Sequence, residues 1–203
     1  MRKILIPAAF GALVALLSSS IAVAAPIVTN GSFETGNRSG WTVENDGSGN
    51  WVVYRNPNNV AGGINPPHGD FAIITQQNEP GSHVLHQRVR LPQRGTLRLK
   101  FILQYESNAP IITDDSLRHD GDENQQFRMD VIKRRAPLRT LDPSDILATA
   151  FRTEEGDPEE LSERTVTENI SHLRGRRVRL RFVEVDNQGN FYVVIDRVRI
   201  VRS

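Results

Sequence analysis

The sequence predicts an all-β protein, a sandwich or barrel of antiparallel strands. Three observations carry this: apolar and polar residues alternate over long segments, Gly, Pro, Asn and Asp clusters punctuate them, and helix signals are scarce. Strict alternation with one apolar face is what half-buried antiparallel strands require.

In chain order, "HVLHQRVRL" places Leu85, Gln87, Val89 and Leu91 on one face, against His86, Arg88 and Arg90. "TLRLKFILQY" groups Leu97, Leu99, Phe101, Leu103 and Tyr105, with Arg98, Lys100, Ile102 and Gln104 facing away. "QFRMDVIKR" sets Phe127, Met129 and Val131 against Arg128 and Asp130, and "RVRLRFVEV" sets Val178, Leu180 and Phe182 against Arg177, Arg179 and Arg181. In "NFYVVIDRVRI", the face formed by Tyr192, Val194, Asp196, Val198 and Ile200 reads as the core face, because Arg197 and Arg199 lie opposite. "DPSDILATAF" opens with a cap-like Asp142-Pro143 turn and leads into either a helix or a strand. Turns stand at "NPNN", "GGINPPHGD", "LPQRGT", "DGDEN" and "DNQGN". Roughly ten strands follow, spaced as in sandwiches and barrels.

The N-terminus has a basic start, Arg2-Lys3, an apolar run from Ile4 to Leu17 and small residues ending Ala22-Val23-Ala24. This is the three-part pattern of an export signal, residues 1–24, leaving residues 25–203 as one domain that is secreted or periplasmic. Removing it leaves 23 basic against 24 acidic residues, a net of −1. That balance argues against general nucleic-acid binding. No second long apolar segment follows, so no stable membrane insertion is expected. With no cysteine, the domain rests on its core, and about 180 residues bury roughly 70% of the unfolded chain's surface. A monomer is expected.

The opening "IVTNGSFETGNRSGW" resembles the N-G-x-F-E-x-G … G-W start of bacterial galactose-binding-like jelly-roll domains, among them several carbohydrate-binding modules. "GSHVLHQRVRLPQRGTLRLKFILQY" resembles their paired central strands, and "NISHLRGRRVRLRFVEVDNQGNFYVVIDRVRI" their closing pair. The resemblance covers nearly the whole mature chain and implies a jelly-roll β-sandwich. It also implies a structural calcium joining first and last strands through Glu34 and Asp196, with main-chain carbonyls from Asn30 to Ser32 as further ligands. A lone buried carboxylate needs a proton or a cation, and calcium accepts carboxylates and carbonyls without strict geometry. On residues alone, Asp196 could instead pair with an arginine, cap backbone amides or sit at a wet strand end.

Other constellations carry less. His83 and His86, three apart on a strand, face opposite ways, which suits a solvated His86 and a packed or edge His83. "DGDENQQFRMDV" lacks the glycine and glutamate of a calcium loop and reads, with Asp114 and Asp115, as a solvated acidic loop. No nucleophile elbow, cysteine or Ser–His–Asp set is evident, so catalysis is not expected.

Two ligand surfaces are candidates. Trp51 and Tyr54, beside a polar loop, could stack on sugar rings, whereas Trp41, Tyr105 and Tyr192 read as packed. The outward Arg98, Lys100, Gln104, Arg128 and Arg179 would share one sheet face, suited to an acidic polysaccharide. The function expected is non-catalytic binding of extracellular or envelope carbohydrate. A structural or adhesive surface protein is the alternative, and a hydrolase is third.

Overall fold

The computed structural model describes residues 25–60, 62–77 and 79–203, so the export signal read at 1–24 lies outside the described residues. Ten strands run β1 (Thr42–Gly47), β2 (Asn50–Tyr54), β3 (Ala72–Gln76), β4 (Gly81–Arg90), β5 (Leu97–Ser107), β6 (Gln125–Lys133), β7 (Ile146–Arg152), β8 (Glu160–Asn169), β9 (Arg177–Asp186) and β10 (Phe191–Arg202). They form two five-stranded antiparallel sheets, ordered β1-β4-β9-β6-β7 and β2-β3-β10-β5-β8. "DPSDILATAF" resolves as a turn followed by β7. The only helices among the described residues are single 3₁₀ turns, Pro57–Asn59 and Ser171–Leu173.

The core lies between the sheets. The inward faces expected for β4, β5, β6 and β9 all contribute to it. Phe182 sits at its centre, with Trp41, Phe101 and Phe127 rings 5.9, 5.4 and 6.5 Å away. Such aromatic pairs add about 0.5–1.5 kcal/mol each beyond their buried area.

β10 corrects the face expected from its sequence. Phe191, Val193 and Ile195 point into the main core, and only past a register shift between Asp196 and Arg199 do Val198 and Ile200 take over. The shift is a β-bulge in which Arg197 adopts φ 49°. One extra residue inverts the pleat, so the two halves of this strand obey opposite parities. Asp196 thus belongs to the outer side of its sheet, with Tyr192 and Val194. Those two residues join Tyr54, Ala72 and Ile74 in a second apolar cluster, covered by Val60 and Ile64 of the 55–71 loop.

The segment 27–41 is a run of turns rather than a first strand. Asn30 and Phe33 have φ of 47° and 57°, which interrupts extended backbone. This segment fills the bulge: the Val198 amide, displaced from the ladder, donates to the Gly31 carbonyl at 2.7 Å. Any calcium at Glu34 would therefore tie β10 to an N-terminal turn.

The outer face of the β1-β4-β9-β6-β7 sheet is also covered, by residues 134–145. Arg179 donates to the Ala136 carbonyl, and Arg181 to the carbonyls of Leu138 and Thr140. Val84, Leu117, Val183 and Val185 pack beneath Leu138 and Leu141.

A Cβ on Gly31 would stand 1.9 Å from the Val198 carbonyl oxygen, which is backbone and cannot swing away. Gly31→Ala is expected to destabilise the fold by about 3 kcal/mol, as overpacking at an unyielding contact does. Urea unfolding at constant m would measure it.

Candidate functional site

Consecutive long strands cross between the sheets, and this decides where the candidate binding residues go. Arg98, Lys100 and Gln104 lie on β5 in one sheet, while Arg128 and Arg179 lie on β6 and β9 in the other. The single basic face expected from the sequence does not exist. Alternation reports which way a side chain points, not which sheet carries it. Arg179 is buried and holds the covering loop, and Gln104 donates to the Asn65 carbonyl of the other loop. Trp51 is fully buried, its indole donating to the His83 carbonyl at 3.1 Å, and Tyr54 is 4% exposed. Neither ring is available for stacking on a sugar. Among the described residues, no Trp, Tyr or Phe side chain is exposed.

Arg128 has a different setting. Its guanidinium makes a two-pronged contact with Asp130, Nε to Oδ2 at 2.7 Å and Nη2 to Oδ1 at 2.9 Å. Asp130 is fully buried and also accepts from Arg181 and from the Thr149 hydroxyl, 2.8 Å from Oδ1. Burial alone would raise the Asp130 carboxyl, but the two guanidiniums outweigh it and hold the group below its ordinary value. One carboxylate between two cations leaves a net positive charge, and Arg128 Nη1 has no partner among the described residues. That side chain helps line a groove of about 670 Å³ over β6 and β7. Asp114, Asp115, Glu154 and Glu155 stand around it with Gln126, Thr149 and Arg152, and Leu141, Pro143 and Ile146 give it an apolar side. The Asp114–Asp115 loop, read as merely solvated, is thus part of the groove.

The Glu34–Asp196 corner is the second site. Glu34 accepts from the Asp70 amide at 3.2 Å and the Phe71 amide at 3.3 Å. Asp196 Oδ1 accepts from the Arg197 amide, and Oδ2 is buried without a hydrogen-bond partner. Burial pushes the Asp196 carboxyl up to about 7; the Arg197 amide opposes this, and the charge of Glu34 adds to it. An orphaned carboxylate oxygen beside a second carboxylate fits a hard cation. The Asn30 carbonyl accepts from the Phe33 amide and the Trp41 indole, and the Gly31 carbonyl from Val198. The Gly31 carbonyl keeps a second lone pair, whereas both lone pairs of the Asn30 carbonyl are engaged, so Asn30 does not fit the ligand role expected of it. Ser32 is partly buried in the same turn.

His86 is 7% exposed rather than solvated, in a depression of about 440 Å³ shared with Thr42, Glu44 and Arg179. His83 is buried between the sheets. The residues that sequence reasoning missed are those outside the long strands: Thr149, Arg152 and the acids at 154–155. Nothing in their local pattern distinguishes them from an ordinary edge strand and turn.

No family model matches the chain, and no curated protein sequence matches it. Solved structures do. TmCBM61 in complex with β-1,4-galactotriose aligns over 89% of this chain and 100% of its own, with TM-score 0.56 and 18% identity. The K3 cleaved adhesin domain of Lys-gingipain from Porphyromonas gingivalis W83 aligns over 85% and 96%, with TM-score 0.51 and 15% identity. The K1 domain of the same protein gives TM-score 0.50 at 15% identity, over 85% and 96%. These likenesses establish the fold: a jelly-roll β-sandwich of the type found in carbohydrate-binding modules.

Burial, then the charges of Arg179 and Arg88, lower His86 to about 4. Its folded value lies below the unfolded one, so its contribution to stability is complete above pH ~6.5 and lost as pH falls toward 4. His86→Gln should therefore lose less melting temperature than wild type between pH 6.5 and 4, in parallel thermal scans.

Proposed function

We propose that this protein is a secreted, non-catalytic carbohydrate-binding module that holds a neutral oligosaccharide in the groove over β6 and β7. The observation that carries this is the pinned guanidinium of Arg128. Asp130 fixes its orientation before any ligand arrives, so it donates to vicinal hydroxyls without an ordering cost. The surrounding carboxylates, amide and hydroxyls supply the alternating donors and acceptors that a sugar edge presents. TmCBM61, whose fold is similar, binds β-1,4-galactotriose.

The absence of an exposed aromatic ring among the described residues favours edge-on hydrogen bonding over stacking. Four carboxylates against two guanidiniums around the groove favour a neutral ligand over an acidic one. Asp130, the buried carboxylate beside Arg128, is consumed by Arg128, Arg181 and Thr149 and is held ionised. It is a poor proton donor, which supports a binding role over a hydrolytic one.

A second reading keeps the acidic polysaccharide but moves it to the other sheet. There Lys100 lies directly across from Arg199, with Arg98 nearby, and like charges so placed repel unless an anion lies between them.

Calcium at the Glu34–Asp196 corner completes the proposal as a structural ion. It would bind Asp196 Oδ2, Glu34 and the carbonyls of Gly31 and Ser32, and would act by binding only the folded chain.

On a glycan array, neutral oligosaccharides should bind. Arg152→Ala, with its side chain 61% exposed, should weaken them about tenfold, the effect of one charged hydrogen bond. Lys100→Ala should not. Silence across neutral glycans, or binding sensitive to Lys100 alone, would move the site to the other sheet or remove it.

Calcium at 100 times its Kd should stabilise by about 2.7 kcal/mol, a melting-temperature rise of about 5–10 °C at this size. Chelator should reverse the rise, and Asp196→Asn should abolish it in differential scanning calorimetry.

A further inference from the structure

A second polar constellation lies inside the sandwich, away from both sites above. His83 on β4 faces Glu184 on β9 as a direct cross-strand pair, and Asp186 lies two residues further along β9, opposite Gly81. All three point inward, at the end of the sandwich where Gln77 leaves β3 and Gln125 begins β6 as the cross-strand partner of Asp186. His83 and Glu184 have no exposed surface, and Asp186 has 2%.

Asp186 Oδ1 accepts from the Gly81 amide at 3.0 Å, but the remaining hydrogen bonding there is one-sided. Asn45 Nδ2 donates to Asn50 Oδ1 at 3.1 Å, which orients the Asn45 amide, and Asn45 Oδ1 lies 3.2 Å from His83 Nδ1. A carbonyl oxygen only accepts, so Nδ1 carries the proton and Nε2 presents its lone pair. Glu184 Oε2 is 4.0 Å from that lone pair. His83 Nε2, both Glu184 oxygens, Gln77 Oε1 and Gln125 Oε1 are all buried without a donor. No lysine or arginine among the described residues forms an ion pair with Glu184. Burial pushes Glu184 well above its ordinary range and His83 down to about 4, leaving the imidazole neutral.

One proton on Glu184 satisfies one lone pair and leaves the remaining acceptors facing each other. A divalent ion satisfies several at once. Ligand atoms of His83, Glu184 and Asp186 all lie within 4.8 Å of one another, a spread one ion can bridge at bond lengths of about 2.0–2.4 Å. We infer that His83 Nε2, Glu184 and Asp186 form a buried binding site for a divalent transition-metal ion, manganese or zinc, with Gln77 and Gln125 as auxiliary oxygen donors.

The donor set makes the selection. Calcium and magnesium prefer oxygen alone, whereas imidazole nitrogen beside carboxylates suits first-row transition metals. The Asn45 contact to Nδ1 is the outer hydrogen bond that metal-bound histidines use to fix tautomer and ring angle. Close-packed backbone supports the ring: a Cβ on Gly81 or Gly49 would come within 2.5 or 2.7 Å of Nε2. A cleft of about 140 Å³ between residues 79–80 and 186–190 reaches Asp186 from solvent.

The test uses chelator-stripped full-length protein in saturating CaCl₂, which occupies the Glu34–Asp196 corner and keeps the two sites separate. Titration with MnCl₂ or ZnCl₂ should then show one further equivalent and a raised melting temperature, in wild type and in Asp196→Asn alike. Glu184→Gln and His83→Gln should each weaken that equivalent at least 100-fold. Because a core variant can fail to fold, the wild-type manganese complex supplies an independent readout. Its electron-spin-echo spectrum should carry modulation from one imidazole nitrogen. No further equivalent, calcium competing at equal affinity, undiminished binding in both variants, or no nitrogen coupling would each overturn the assignment.

Discussion

The bulge in β10 is the constraint on which the rest of the architecture depends. β10 runs between β3 and β5 in its sheet, so a change in its pleat cannot be absorbed at an edge. One extra residue, with Arg197 in left-handed backbone, lets Ile195 and Val198 both reach the core. The displaced Val198 amide must find an acceptor, and Gly31 provides it. The N-terminal turns are thereby drawn against the last strand, the charge of Glu34 comes to act on Asp196, and Trp41 is seated in the aromatic cluster around Phe182. Sequence, backbone and core packing meet at this point.

How far the sequence reveals this depends on the element. In β5, five alternate apolar residues from Leu97 to Tyr105 read directly as a core face, and the structure buries all five. In β10 the same reasoning chose the wrong face for the first half, because a bulge leaves the pattern of residue types intact while shifting its phase. Arg128 and Lys100 both point outward, yet they lie on different sheets. Partner choice between strands depends on long-range packing that local alternation does not encode. Trp51 adjoins a polar loop, the sequence mark of an exposed ring, yet its indole bonds to the His83 carbonyl and closes the core. The Glu184 and Asp186 positions were readable in principle. They continue the inward series Val178, Leu180, Phe182 by two more steps, and acids at such positions mark a buried polar site.

Arginine serves two purposes in this molecule. Arg179 and Arg181 are fasteners: each reaches from a central strand to carbonyls of the 134–145 segment, giving a polar attachment to a loop that also packs apolar residues. Arg128 shares a carboxylate with Arg181 but retains a nitrogen at the groove. Buried guanidiniums are costly without a counter-charge, and Asp130 lowers that cost for both at once. The rigidity of the groove floor is thus a by-product of how the covering loop is held.

The end of β10 bears on mechanics. Ser203 exchanges two backbone hydrogen bonds with Thr96, while Gly31 is bound five residues earlier, at Val198. Tension applied between residue 30 and residue 203 would run along that short stretch of one strand. Two hydrogen bonds between Thr29 and Gln87 also pass load to β4, which lies two strands from β6, so a tether pulling on this domain would act away from the β6–β7 groove.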